Sequence, residues 1–137
     1  MNEDFVSFDI AKKLKEKGFS CEMPFAMYNE IAAFHLLTTS APYNVCDSGF
    51  KYREYYDYED FDEHDCIAPT ISQVLKWLRK EKGLHIEILH IFSEETLWDF
   101  EVAHIGSYER WWNNLELFDT YEQAVLAGIK YVLDNLI

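Results

Sequence analysis

The densest group of chemically capable side chains surrounds the last cysteine. His64, Asp65 and Cys66 follow Asp57, Glu59, Asp60, Asp62 and Glu63. Carboxylate, imidazole and thiolate are the donors that divalent ions use. The spacing matches no known ligand loop: the sixth-position glycine of an EF-hand is missing, and no zinc pattern is present. The run reads as a solvated acidic loop, and no metal is expected. A nucleophile needs a base within hydrogen-bond reach. Cys46 or Cys66 with His64 is the combination to weigh, and neither cysteine sits in a glycine-flanked elbow. His85 and His90 stand at odd spacing on an alternating stretch, so they face opposite sides of a sheet. His104 could pair with one of them across a hairpin. No carboxylate pair can be singled out among 25 acids. No catalytic residue and no cofactor are therefore assigned.

Two surfaces remain as binding candidates. Between Thr70 and Gly83, four bases (Lys76, Arg79, Lys80 and Lys82) meet one acid, Glu81. Lys76, Arg79 and Lys80 make a candidate basic patch for a phosphate or an acidic partner, although cations late in a helix also complement its dipole. The aromatic residues are the more suggestive set. Phe50, Tyr52, Tyr55, Tyr56, Tyr58 and Phe61 crowd one acidic segment, and Trp111-Trp112 form a second concentration. Aromatic types make up 17% of the chain. Rings interleaved with hydrated carboxylates are poorly placed to win interior space. Tyr52, Tyr55, Tyr56, Tyr58, Phe61, Trp111 and Trp112 are thus the expected interaction surface, because exposed apolar patches usually mark one.

The elements that must carry these residues follow from periodicity. Ser7 caps a first helix whose face is Ile10, Ala11 and Leu14 and whose end is marked by Gly18. Thr70 and Gln73 match a capping box ahead of Ile71, Val74, Leu75 and Leu78, and Gly83 stops that helix. A last helix begins with either Asp119/Glu122 or Thr120/Gln123 and buries Val125, Ile129, Val132, Leu133 and Leu136. Gly128 in its middle implies a close approach of another backbone. Leu84 to Ile88 and Leu97 to Val102 alternate apolar and polar, with Leu89 to Phe92 as an extension of the first, and the pair reads as an antiparallel hairpin with one wet face. Phe25–Tyr28 and Ala33–Leu37 form a weaker hairpin around Asn29-Glu30. A further strand is expected in 50–56, and 108–118 is ambiguous, with a turn at Asn113-Asn114. The expectation is one α+β domain over 1–137, with an antiparallel sheet of about four to five strands and three helices in the order α-β-β-α-β-β-(β)-α.

Composition narrows the partners. The 137 residues are 49% apolar with a net charge of −13. A chain of this size buries about 68% of its unfolded surface. Nucleic-acid affinity comes mainly from Lys and Arg on phosphates, so direct nucleic-acid binding is disfavoured, and so are anionic membranes. Three cysteines without a C-x-x-C form no disulfide framework. Met1-Asn2-Glu3-Asp4 is acidic with no apolar stretch behind it, so no secretory signal is expected and the location reads as cytoplasmic.

One ordered set of residues carries a resemblance. It runs through Ala11-Lys12-Lys13-Leu14-Lys15-Glu16-Lys17-Gly18-Phe19, Cys21, Tyr28, Ala68-Pro69-Thr70, Lys76-Trp77-Leu78-Arg79, His85-Ile86-Glu87-Ile88 and Trp98-Asp99-Phe100. It closes with Phe118-Asp119-Thr120-Tyr121-Glu122-Gln123-Ala124 and Gly128-Ile129-Lys130-Tyr131 to Leu136-Ile137. The chain resembles a group of small uncharacterised proteins encoded by gut bacteria, their prophages and mobile elements. It departs from them mainly in 31–50 and 103–115. The resemblance brings no activity, cofactor or site residue, and it implies an accessory or host-interacting role.

Three functions are expected in order. The first is a non-enzymatic protein that binds an unknown protein partner or itself. The second is a small-molecule binder or enzyme with its site between the aromatic loop and the sheet. The third is an acidic mimic of nucleic acid, using acids at 57–65 and Glu94, Glu95, Asp99 and Glu101.

Overall fold

The computed structural model describes residues 5–21, 24–38, 55–57, 64–92, 96–112 and 117–137. The fold is α+β, and its contacts gather into two compact units, Phe5–Thr70 and Ile71–Ile137.

In the unit Phe5–Thr70, helix α1 (Phe8–Glu16) starts where Ser7 Oγ accepts the Ile10 N–H at 3.4 Å. Ile10, Ala11 and Leu14 form its buried face, Lys13 and Lys15 occupy its last turn, and Gly18 follows at φ +84°. Four short strands follow: β1 (Ala26–Tyr28), β2 (Phe34–Thr38), β3 (Tyr55–Asp57) and β4 (Cys66–Ile67). Their order is β3-β2-β1-β4. β1 pairs antiparallel with β2 and with β4, whereas β2 and β3 run parallel. Val6, Ala26, Met27, Cys66 and Ala68 are buried with the helix face. Phe5, Phe8, Tyr28 and Phe34 join edge to face at centroid distances of 5.1–5.5 Å. The Tyr28 hydroxyl is satisfied by donating to the Val6 carbonyl at 2.7 Å. The unit closes on itself: the Val6 N–H donates to the Pro69 carbonyl at 3.0 Å, and Phe5 bridges Thr70 antiparallel.

The turn between β1 and β2 is built by Asn29. Its Oδ1 accepts the N–H groups of Ile31 and Ala33, each at 3.0 Å. The chain then passes through Ala32 at φ +65°, a left-handed conformation that glycine adopts more easily.

In the unit Ile71–Ile137, helix α2 (Ile71–Trp77) buries Val74 and Trp77 and runs on into a π-helical turn, Leu78–Lys82. Leu78 is fully buried and Gly83 ends the turn at φ +66°. Three strands follow, β5 (Leu84–Phe92), β6 (Thr96–His104) and β7 (Arg110–Trp112), in the order β5-β6-β7 and all antiparallel. Helix α3 (Tyr121–Asn135) returns across β5 and β6. Of its two candidate capping boxes the second forms: Thr120 Oγ1 accepts the Gln123 N–H, and Gln123 Oε1 accepts the Asp119 N–H, both at 3.1 Å. Ala124, Val125, Gly128, Ile129, Val132 and Leu133 are its buried stripe, with Leu136 half-buried. At Gly128 the close neighbours are side chains rather than a backbone. A Cβ there would meet Ile86 Cγ2 at 2.8 Å and the Phe100 ring at 3.3 Å.

Among the described residues, seven strands divided between two sheets stand where four to five in one were expected. β3 lies at the end of the stretch where a further strand was expected, 50–56, and β7 falls within the ambiguous 108–118; the addition is β4, two residues long and too short to show alternation. No described helix is long and apolar enough to cross a membrane.

Candidate functional site

The sheet of the second unit is where sequence pattern and geometry converge. The β5–β6 register pairs Ile86 with Val102, Ile88 with Phe100 and His90 with Trp98, so even-numbered residues share the face under α3. Leu84, Ile86, Phe100 and Val102 are buried there, and Trp111 joins them opposite Val102, half-buried. Toward the far end of the strands the cover thins. His90 lies 5.0 Å from the Trp98 ring, and Trp98 meets Tyr121 edge to face at 5.6 Å. One pair further on, Phe92 is 92% exposed.

The opposite face is the wet one. It carries His85, Glu87, Leu89 and Ile91 on β5, and Leu97, Asp99, Glu101 and Ala103 on β6. Glu87 stands directly opposite Glu101, an arrangement that repels. Arg110 relieves it from β7, its guanidinium 3.2 Å from the Glu101 carboxylate. Asp99 Oδ1 accepts the Phe100 N–H at 2.8 Å. Three carboxylates thus gather at mid-sheet, with Leu89, Ile91 and Leu97 beyond them.

The outer edge of β5 is the unusual part. Trp98 and Phe118 exchange two main-chain hydrogen bonds of 2.8 Å, so the N–H and C=O of Trp98 point away from β5. The odd residues of β6 therefore bond β5, through Ile91, Leu89, Glu87 and His85. The Ile105 N–H, bonded to the Gly83 carbonyl at 2.8 Å, continues that ladder. By alternation, the N–H and C=O of Ile86, Ile88 and His90 point outward, and no described residue pairs with them. Proteins ordinarily protect such an edge with short strands, lysine, proline or bulges. The edge strands β3, β4 and β7 are two or three residues long. β5 runs nine residues without lysine, arginine or proline and in unbroken register.

No protein family, curated protein or solved structure matches this chain.

The residues singled out by sequence fall in several places. Tyr52, Tyr58 and Phe61 lie outside the described residues, as do Cys46, Glu94 and Glu95. Tyr55 and Tyr56 belong to β3, opposite Leu36 and Leu37 of β2. Trp112 belongs to β7 and pairs in register with Glu101. Lys76, Arg79 and Lys80 are exposed, and among the described residues none of them forms an ion pair, while the Lys82 ammonium sits 5.3 Å over the Trp77 ring. His85 and His90 face opposite sides of β5, and His104 pairs with Leu84 at the far end from His90. His64 is exposed. Cys66 is buried opposite Tyr28, and burial pushes its thiol up, with Lys15 opposing and Asp65 reinforcing the shift. Tyr28 is pushed up as well, by burial first and then by Cys66. A thiol held neutral is a poor nucleophile. The free edge and Phe92 were missed by residue-type reasoning. Their signal was a nine-residue, mostly apolar run without lysine, arginine or proline that ends in Phe92.

Proposed function

We propose that the chain is a non-enzymatic protein-interaction protein of the cytoplasm and that it recognises its partner along the free edge of β5. The observation that carries this reading is the row of outward N–H and C=O groups at Ile86, Ile88 and His90. Strand addition satisfies such groups, with main-chain bonds giving affinity and alternate side chains giving specificity. The exposed Phe92 at the end of the row adds an apolar anchor. The resemblance to proteins of gut-bacterial prophages and mobile elements supports an accessory role in such an element.

The test compares immobilised wild-type chain with an Ile88→Pro variant, both checked for fold by circular dichroism. Proline at 88 removes an outward N–H and no bond of the β5–β6 ladder. Bacterial lysate and labelled free chain are passed over each. A protein, or the chain itself, held by the wild type and released by the variant supports the reading. Equal retention by both, or by neither, overturns it.

A further inference from the structure

We infer that the occupant of the β5 edge is the β5 edge of a second copy, so that two three-stranded sheets join across a two-fold axis into one antiparallel six-stranded sheet. The inference rests on the protein-interaction reading above and names its partner. The argument starts from direction. A two-fold axis perpendicular to the sheet sets two β5 strands side by side and antiparallel, with like faces together. Even residues, whose N–H and C=O groups point outward, must then oppose even residues.

The sequence of β5 chooses among the registers this allows. Centred on Ile88, the whole strand pairs: Leu84 faces Phe92 of the second copy, Ile86 faces His90, Ile88 faces Ile88, and Glu87 faces Leu89. No like charges meet directly. A centre one residue earlier sets Glu87 against Glu87, and like charges directly opposed destabilise a sheet. A centre two residues earlier leaves His90 and Phe92 without strand partners. The Ile88 register is thus the one that pairs the full strand without opposing charge. It also brings the 92% exposed Phe92 ring to the end of the second copy's β5, beside its Leu84. Glu87 is the one formal charge in the nine residues, so the acids that give the chain its charge of −13 lie mostly off this contact. Their mutual repulsion is long-range and screened by salt. Self-association therefore strengthens as salt rises, whereas docking of a basic foreign strand weakens.

The experiment is sedimentation velocity on the full chain over the micromolar range, at low and high sodium chloride. It uses the wild type, Leu89→Lys and Leu89→Glu. Leu89 is half-buried on the wet face and bonds inward, so both variants leave the outward row intact. The expected result is a monomer–dimer equilibrium that tightens with salt. Leu89→Lys, set against Glu87 of the second copy twice per dimer, tightens it further by about fivefold, and Leu89→Glu weakens it by a similar factor. Amide exchange of Ile86, Ile88 and His90 slows on dimerisation. A monomer at every concentration and salt overturns the inference, as does a dimer indifferent to both Leu89 variants. If a foreign protein is nevertheless held by the wild type and released by Ile88→Pro, the self-pairing fails while the interaction reading stands. If nothing is held, both fail.

Discussion

Gly128→Ala separates helix propensity from packing. In an exposed helix interior, alanine is better than glycine by about 1 kcal/mol. In α3 the new Cβ would lie 2.8 Å from Ile86 Cγ2 and 3.3 Å from two Phe100 ring carbons. Relaxed carbon contacts sit near ~3.5–4.0 Å, so Ile86 Cγ2 must retreat by roughly 1 Å. It has little freedom to do so: Ile86 is 6% exposed, Phe100 is 2% exposed, and a β-branched χ1 is stiff. Overpacking of this kind costs about 1–3 kcal/mol. Set against the propensity gain, the net is a loss of about 1 kcal/mol, a fall in Tm of roughly 3–5 °C for a chain of this size. Urea unfolding followed by circular dichroism measures it. Ile86→Ala removes the clashing methyl, and in that background Gly128→Ala should become neutral or stabilising by about 1 kcal/mol. A Gly128→Ala protein more stable than wild type, or an equal cost in both backgrounds, refutes the packing argument.

Ala32→Gly relieves the left-handed residue of the β1–β2 turn. It should stabilise by about 0.5–1 kcal/mol in the same assay, the relief of strain exceeding the added freedom of the unfolded chain; a loss of stability refutes it. The raised Cys66 and Tyr28 give a pH dependence of definite sign. Each folded group holds its proton more tightly than its unfolded counterpart, so its contribution is complete below the ordinary value and is lost as pH rises through the folded one. Stability should hold through neutral pH and begin to fall above about 8.5, with a second decline above about 10. Cys66→Ala removes the first slope and Tyr28→Phe the second; a first slope unchanged in Cys66→Ala rules out that origin.

What was legible in the sequence was whatever repeats or caps. Ser7, Gly18, Thr120 and Gln123 act where their chemistry placed them, and the β5–β6 hairpin follows its alternation. The division into two sheets was hidden: a strand was expected where β3 lies, but its parallel pairing with β2, like the two-residue β4, depends on partners distant in sequence. The π-helical turn at Leu78–Lys82 was equally silent, since its residues are ordinary helix formers. For the candidate site, reasoning from residue type led to rings and charges. The free edge is a property of main-chain direction, which no side chain encodes. It emerges only once the Trp98–Phe118 bonds show which way β6 points.

The antiparallel bridge of Phe5 with Thr70 brings both ends of the first unit to one place. Its helix and four strands form a loop tied at its neck by the Val6–Pro69 hydrogen bond. The chain therefore enters this unit and leaves it side by side, so whatever is joined to 5 and to 70 meets at two neighbouring points. In genetic terms, residues 5–70 have the junction geometry of an insertion.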